Sequence, residues 1–215
     1  MLSASFTRWC GLAAMVGGIT YAALGLLGRL YIYLYSPSDL HSVPPVLTFV
    51  ERIVPLLLVL GVLAAIAGLH GVQRERYALA GALASLTAFV GVVLILVGSI
   101  IETLAGPAFE PSLLFLISGL LIATLGLAGL GAVTVLAGVL PRWVGALVIL
   151  GSPPFVLFVP TAFERLVPYE VLHPLLAGAA WGLVGYTLFR EVVRRDPRSL
   201  AWSVLFHPKK RQPTP

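Results

Sequence analysis

IVPLLLVLGVLAAIAGLHGVQRERYALAGALASLTAFVGVVLILVGSII, residues 53–101, holds two long apolar runs either side of one short turn that carries Arg74 and Arg76. Each run has about the 20 apolar residues that an α-helix needs to cross the hydrocarbon core of a bilayer. Working outward from this hairpin, the same pattern recurs along the chain. Six apolar stretches, at about 9–34, 46–69, 78–101, 112–140, 143–160 and 169–189, are joined by short loops that alternate between basic and acidic. The expected fold is all-α: a compact polytopic bundle of six transmembrane helices over residues 1–190, followed by a basic tail, 191–215, partly disordered or interfacial.

Composition agrees. The chain has 215 residues, of which 59% are hydrophobic and only 11% charged, where a soluble domain carries about 25% charged residues. Burying so much apolar surface from water would take a larger core than this chain can enclose, so lipid is the solvent that fits. The apolar run that follows Arg8 continues to about Tyr35, well beyond the 7–15 residues of a signal-peptide core, and reads as an uncleaved first helix. A single cysteine, Cys10, leaves no internal disulfide and no cysteine-based metal cluster to be made.

Charge sets the orientation. One group of segments carries Arg8; Arg74 and Arg76; Arg142; and a tail with Arg190, Arg194, Arg195, Arg198, Lys209, Lys210 and Arg211. The other carries Asp39, Glu51, Glu102, Glu110, Glu164 and Glu170, with only Arg29, Arg52 and Arg165 among them. The excess of Lys and Arg in cytoplasmic loops then puts both termini in the cytoplasm, with the chain in a prokaryotic inner membrane. That requires an even number of spans and is the reason to keep the short fifth one. The formal charge of +5 gathers near the end of the chain. With Leu200, Trp202, Val204, Leu205 and Phe206 it reads as an anchor on anionic lipid headgroups and not as a nucleic-acid arm.

Glycines recur at intervals of seven: Gly11, Gly18 and Gly25; Gly61 and Gly68; Gly91 and Gly98; Gly119 and Gly126; Gly138 and Gly145; Gly178 and Gly185. Seven residues make nearly two helical turns, so each set shares a face, and small residues let helix backbones approach closely in lipid. These faces are expected to turn inward.

Polar groups limit the chemistry. Every Asp, Glu, Arg, Lys and His falls near a predicted helix end, which argues against a buried proton relay or a voltage sensor. Arg29 lies four residues after Gly25, and Glu102 four after Gly98, so both sit on packing faces at outward ends; with Glu51 they are candidates for an outer vestibule. The competing reading has Arg29 snorkelling to headgroups. His173, nine residues from Gly182, is expected to face headgroups. Gly151-Ser152-Pro153-Pro154 lies close to the midplane, roughly 15 Å beyond Trp143 at 1.5 Å per residue. Its two prolines remove two backbone donors and leave the carbonyls of Ile149 and Leu150 without helical partners. Such breaks line substrate sites in transporters; the competing reading is a kink satisfied by Ser152, water or a neighbouring helix. No HExxH, P-loop, GxSxG or GxGxxG pattern is present, so no catalytic residue, metal or cofactor is expected.

The turn Leu140-Pro141-Arg142-Trp143-Val144-Gly145, together with Trp181-Gly182 and Gly185-Tyr186 before Arg190, resembles features of multi-pass membrane proteins of bacteria and archaea that have no assigned activity. The resemblance covers about a quarter of the chain and implies topology alone.

Three functions are compatible with this sequence. In order of preference they are a non-catalytic bundle that binds or stabilises a protein partner, a lipid or a small apolar ligand; a small transporter, expected as a homodimer, gated at the proline break; and a membrane enzyme using outer-end carboxylates such as Glu102 and Glu164. A cavity that reaches the midplane would favour the transporter, and a dry core the first reading.

Overall fold

The computed structural model describes residues 4–34, 45–74, 76–105, 110–155 and 169–195. They form helices α1 (Ala4–Leu34), α2 (Pro45–Gln73), α3 (Ala78–Ala105), α4 (Glu110–Ala137), α5 (Arg142–Leu150) and α6 (Tyr169–Arg195), and among the described residues there is no strand. Five of these helices are long and apolar enough to cross a membrane: α1, α2, α3, α4 and α6.

Each helix packs against the next in the chain, and α6 closes the ring on both α5 and α1. Glycine contacts give the directions. Gly11 lies against Gly185 and Phe189, Gly18 against Gly178 and Gly182, and Gly25 against Pro174, so α1 and α6 run antiparallel. Gly17 and Gly61 meet across α1 and α2, and Gly68 meets Cys10 and Thr7. Gly91 meets Ala123 and Gly98 meets Leu116, so α3 and α4 are also antiparallel. Ala4 and Arg195 therefore share one end of the bundle, here called the terminal end. The turns between α2 and α3 and between α4 and α5 lie there too. This end collects Arg8, Arg74, Arg76, Arg142 and Arg190, and Arg8 stacks over the Phe189 ring at 5.0 Å. The Arg74/Arg76 turn is tied to the next one: Arg76 Nη1 donates to the carbonyl of Ala137 at 2.8 Å. That contact places a cation at the C-terminus of α4, where the helix dipole favours it.

The core runs through the middle of the ring. Ile66 and Leu69 of α2 meet Leu127 and Leu130 of α4, Val144 and Val148 of α5, and Val184 and Leu188 of α6, all buried. Leu27, Leu79, Leu104, Leu114 and Leu125 stay exposed on the outside, the arrangement expected when the surroundings are lipid.

Three boundaries differ from the sequence reading. The fourth helix ends at Ala137 and not near 140, because Gly138 adopts φ 59°, a left-handed conformation that closes a helix at little cost only with glycine. Gly138 and Gly145 therefore do not share a helix face. The fifth run, expected as one span over 143–160, is broken: α5 has nine residues, too few to cross a bilayer, and Gly151 and Ser152 form a turn before helix resumes at Pro153. The last helix runs to Arg195, five residues into the stretch read as tail; residues 196–215 lie outside the described residues.

Candidate ligand cavity at the helix break

The break in α5 has a definite hydrogen-bond structure. Pro153 has no N–H to offer the carbonyl of Ile149, and Ser152 takes that place twice, through its backbone N–H at 3.0 Å and its hydroxyl at 2.6 Å. Gly151 N–H donates to Leu147 O at 2.8 Å. The Gly151 carbonyl accepts from the indole Nε1 of Trp181 on α6, at 3.0 Å. Trp181 is only 2% exposed and Ser152 only 1%. An indole N–H buried at this depth must find an acceptor, and the broken helix supplies one. The close approach of the indole favours glycine at this position: a Cβ on Gly151 would stand 2.9 Å from Trp181 Nε1.

A cavity of about 220 Å³ opens where α5 stops. Its deep wall is Gly151, Pro153 and Trp181, with Val62 of α2, Val92 of α3 and Leu127 of α4. Towards the far end of the bundle the wall continues through Pro55, Ile95 and Leu120 and finishes at Tyr21, Ser99 and His173. Tyr21 and His173 are bonded to each other, hydroxyl to Nδ1 at 3.0 Å, with ring centroids 5.8 Å apart and edge-on. The cavity is thus apolar along most of its length, with polar side chains gathered at one end. From His173 to Trp181 it extends roughly 12 Å along α6, at 1.5 Å per residue.

His173 corrects the sequence reading, which turned it to the headgroups because it lies nine residues from Gly182. The tight contacts of α6 on α1 are made by Gly178 and Gly185, whereas a Cβ at Gly182 would stand 3.8 Å from its nearest neighbour. His173 instead shares a face with Ala177 and Trp181, at intervals of four residues, and that face lines the cavity. Nothing in the pattern of the sequence singles out Tyr21 or Ser99. Trp181 does carry a signal: a tryptophan inside an apolar span, thirty residues after a proline break that frees carbonyls.

Of the vestibule candidates, Glu102 is half-exposed in the last turns of α3, while the side chains of Arg29 and Glu51 lie outside the described residues. The face of α1 marked by Gly25 meets α6, and the face of α3 marked by Gly98 meets α4, two different seams of the ring. Gly151 and Ser152 form the turn that ends α5, helix resumes over Pro153 and Pro154, and Gly151 and Pro153 line the cavity. Among the described residues no three His, Cys, Asp or Glu side chains come together as a metal site.

A second polar group lies nearer the terminal end. Gln73, 1% exposed, donates from Nε2 to Thr134 Oγ1 at 2.6 Å. The Thr134 hydroxyl spends its own proton on the Leu130 carbonyl at 2.7 Å, so it can only accept from Gln73, and this fixes the orientation of the amide. Gln73 Oε1, His70 Nδ1 and Ser85 Oγ are buried there without partners.

No family model matches the chain, and comparison with curated proteins and with solved structures finds no significant match. The resemblance carried by Leu140–Gly145 and the Trp181–Tyr186 stretch therefore assigns no family.

Proposed function

We propose that the protein is a six-pass, non-catalytic bundle of a prokaryotic inner membrane, with both termini cytoplasmic, that binds one small apolar molecule in the cavity beside the α5 break. The observation that carries this reading is the cavity itself: an apolar space at the depth of Trp181, walled by five helices and the break, with its polar side chains confined to the far end. The gathering of Arg8, Arg74, Arg76, Arg142 and Arg190 at the terminal end supports the orientation. Six passes are supported by connectivity: α4 finishes at the terminal end and α6 begins at the far end, so residues 138–168 have the height of the bundle to climb. The cavity then lies in the outer leaflet. Residues 196–215 supply a basic anchor for anionic headgroups.

Native mass spectrometry of the protein extracted with its surrounding lipid tests this. One apolar molecule per chain is expected, and Val59→Phe, which fills the cavity from α2, should abolish it without lowering the melting temperature. A bare chain, or equal retention in Val59→Phe, counts against a ligand in this cavity.

A transporter is the second reading, because the cavity reaches a proline break. Buried Ile66, Leu69, Leu127, Leu130 and Leu188 fill the core between the cavity and the terminal end, so transport would need a second arrangement of α5. Uptake of the bound molecule into proteoliposomes would favour that reading over simple binding.

A further inference from the structure

We infer that the apolar ligand enters the cavity sideways from the lipid, between α2 and α3, as two rigid halves of the ring part along that seam. The inference rests on the ligand-binding reading above and adds the route of entry.

Glycine contacts divide the ring into two units. In the first, a Cβ on Gly17 would stand 2.7 Å from the Leu57 carbonyl oxygen and one on Gly18 2.5 Å from the Gly182 nitrogen, so α1 is pressed backbone to backbone on both α2 and α6. In the second, Gly91 lies against the Ala123 backbone and a Cβ on Gly131 would stand 2.7 Å from the Gly145 oxygen, so α4 is pressed in the same way on α3 and α5. No described glycine meets a backbone atom across α2–α3 or across α5–α6. Backbones in direct contact leave no flexible side chains between them and move as one body, whereas seams of side chains can slide or part.

The cavity lies between these units. Tyr21, Val59 and Trp181 line it from the first, and Val92, Leu120 and Pro153 from the second. The two seams that join the units are unequal. At α5–α6, Trp181 Nε1 donates to the Gly151 carbonyl at 3.0 Å, beside the cavity. The terminal end is tied as well: α2 passes into α3 through a short turn, Gln73 donates to Thr134 at 2.6 Å, and Ile66 and Leu69 pack on Leu127 and Leu130. Beyond the turn, no hydrogen bond joins α2 to α3 among the described residues. Parting that seam towards the far end exposes apolar side chains, which lipid tails solvate as well as protein does. It is therefore the seam that opens at least cost, with the terminal end as the pivot. An apolar molecule, concentrated in lipid and not in water, arrives on that side.

A bridge across the seam tests this. Gly61 and Leu63 flank the inward-facing Val62 at about 100° on either side. Gly61 meets α1, so Leu63, and Leu56 seven residues earlier, turn towards α3. On α3, Gly91 meets α4 on one side of Val92, and Phe89 and Leu96 lie round the other side. Two cysteine pairs follow, Leu56→Cys with Leu96→Cys and Leu63→Cys with Phe89→Cys, each closed by a short bis-methanethiosulfonate. The background is the full-length protein in lipid nanodiscs with Cys10→Ala and with Trp9, Trp143 and Trp202 changed to Phe, which leaves Trp181 as the reporter. Hexyl bromide, whose bromine quenches an indole only at close range, is the probe. Saturable quenching is expected in the unbridged protein. Either bridge should slow both its onset and its washout about tenfold, as a locked gate does, and reduction should restore both. A disulfide between Ala84→Cys and Gly129→Cys, placed where a Cβ on Gly129 would stand 3.4 Å from that of Ala84 inside the second unit, should change neither rate. Unaltered onset and washout under both bridges would overturn the α2–α3 route while leaving the ligand site in place. Equal slowing by the Ala84–Gly129 disulfide would overturn the division into two units. Absence of saturable quenching in the unbridged protein would remove the ligand site and the route together.

Discussion

Ser152 and Trp181 show how two side chains stabilise a break that two prolines create. Pro153 removes the donor of the Ile149 carbonyl and Ser152 supplies one in its place, while Trp181 reaches across from α6 to the Gly151 carbonyl at the turn. Trp181→Phe keeps most of the ring volume and removes the donor, so it should cost about 1 kcal/mol, within the range for single hydrogen bonds between membrane helices, measured by reversible unfolding in mixed micelles. Gln73 and Thr134 make the opposite case. Thr134→Val leaves the whole buried amide of Gln73 unpartnered and should cost about 1–3 kcal/mol. Gln73→Leu removes the amide together with its unpartnered Oε1, while Thr134 keeps its bond to Leu130, and should be close to neutral in the same measurement. The position of the proline break is legible in the sequence, because proline's missing donor is a local property. That Trp181 donates to the Gly151 carbonyl is not, since the pair is thirty residues apart and meets only when α5 docks on α6.

At the scale of helices, the ring is held by glycine seams, and their depth varies within one seam. A Cβ on Gly18 would lie 2.5 Å from the Gly182 nitrogen and 2.6 Å from the Gly178 oxygen, both rigid backbone atoms, whereas one on Gly182 would meet nothing nearer than 3.8 Å. Gly18→Ala should therefore force α1 and α6 apart and cost about 1–3 kcal/mol, as overpacking does. Gly182→Ala should be tolerated, the contrast being read as melting temperature in detergent. The seven-residue spacing identifies Gly11, Gly18, Gly25, Gly91, Gly98, Gly119 and Gly126 as contact residues, and each does lie against a neighbouring helix. It passes over Gly17 and Gly131, which make close contacts with α2 and α5, because a helix in a ring has two neighbours and a single period describes only one face. Gly178 and Gly182 also form a GxxxG step, a spacing that favours close helix approach in lipid; it marks the right helix and overstates Gly182, where a Cβ would meet nothing nearer than 3.8 Å.

For the whole molecule, closure of the ring has a consequence for topology. With α1 and α6 antiparallel, fusions of green fluorescent protein to either terminus should fluoresce, and alkaline phosphatase at either terminus should be inactive; a split result would contradict the proposed orientation. The local sequence by itself determined apolar helical spans, the alternation of basic and acidic segments, and, through its prolines, a break near Pro153. Each of these follows from how a residue interacts with solvent or with its own backbone, which local sequence records. Only the tertiary structure decided which seams form, that α5 stops at Leu150 against Trp181, and that Tyr21, Ser99 and His173 come together at one end of an apolar cavity. Those are contacts between helices that lipid solvates equally well on every apolar face, so close packing selects among them, and packing is a property of the assembled ring.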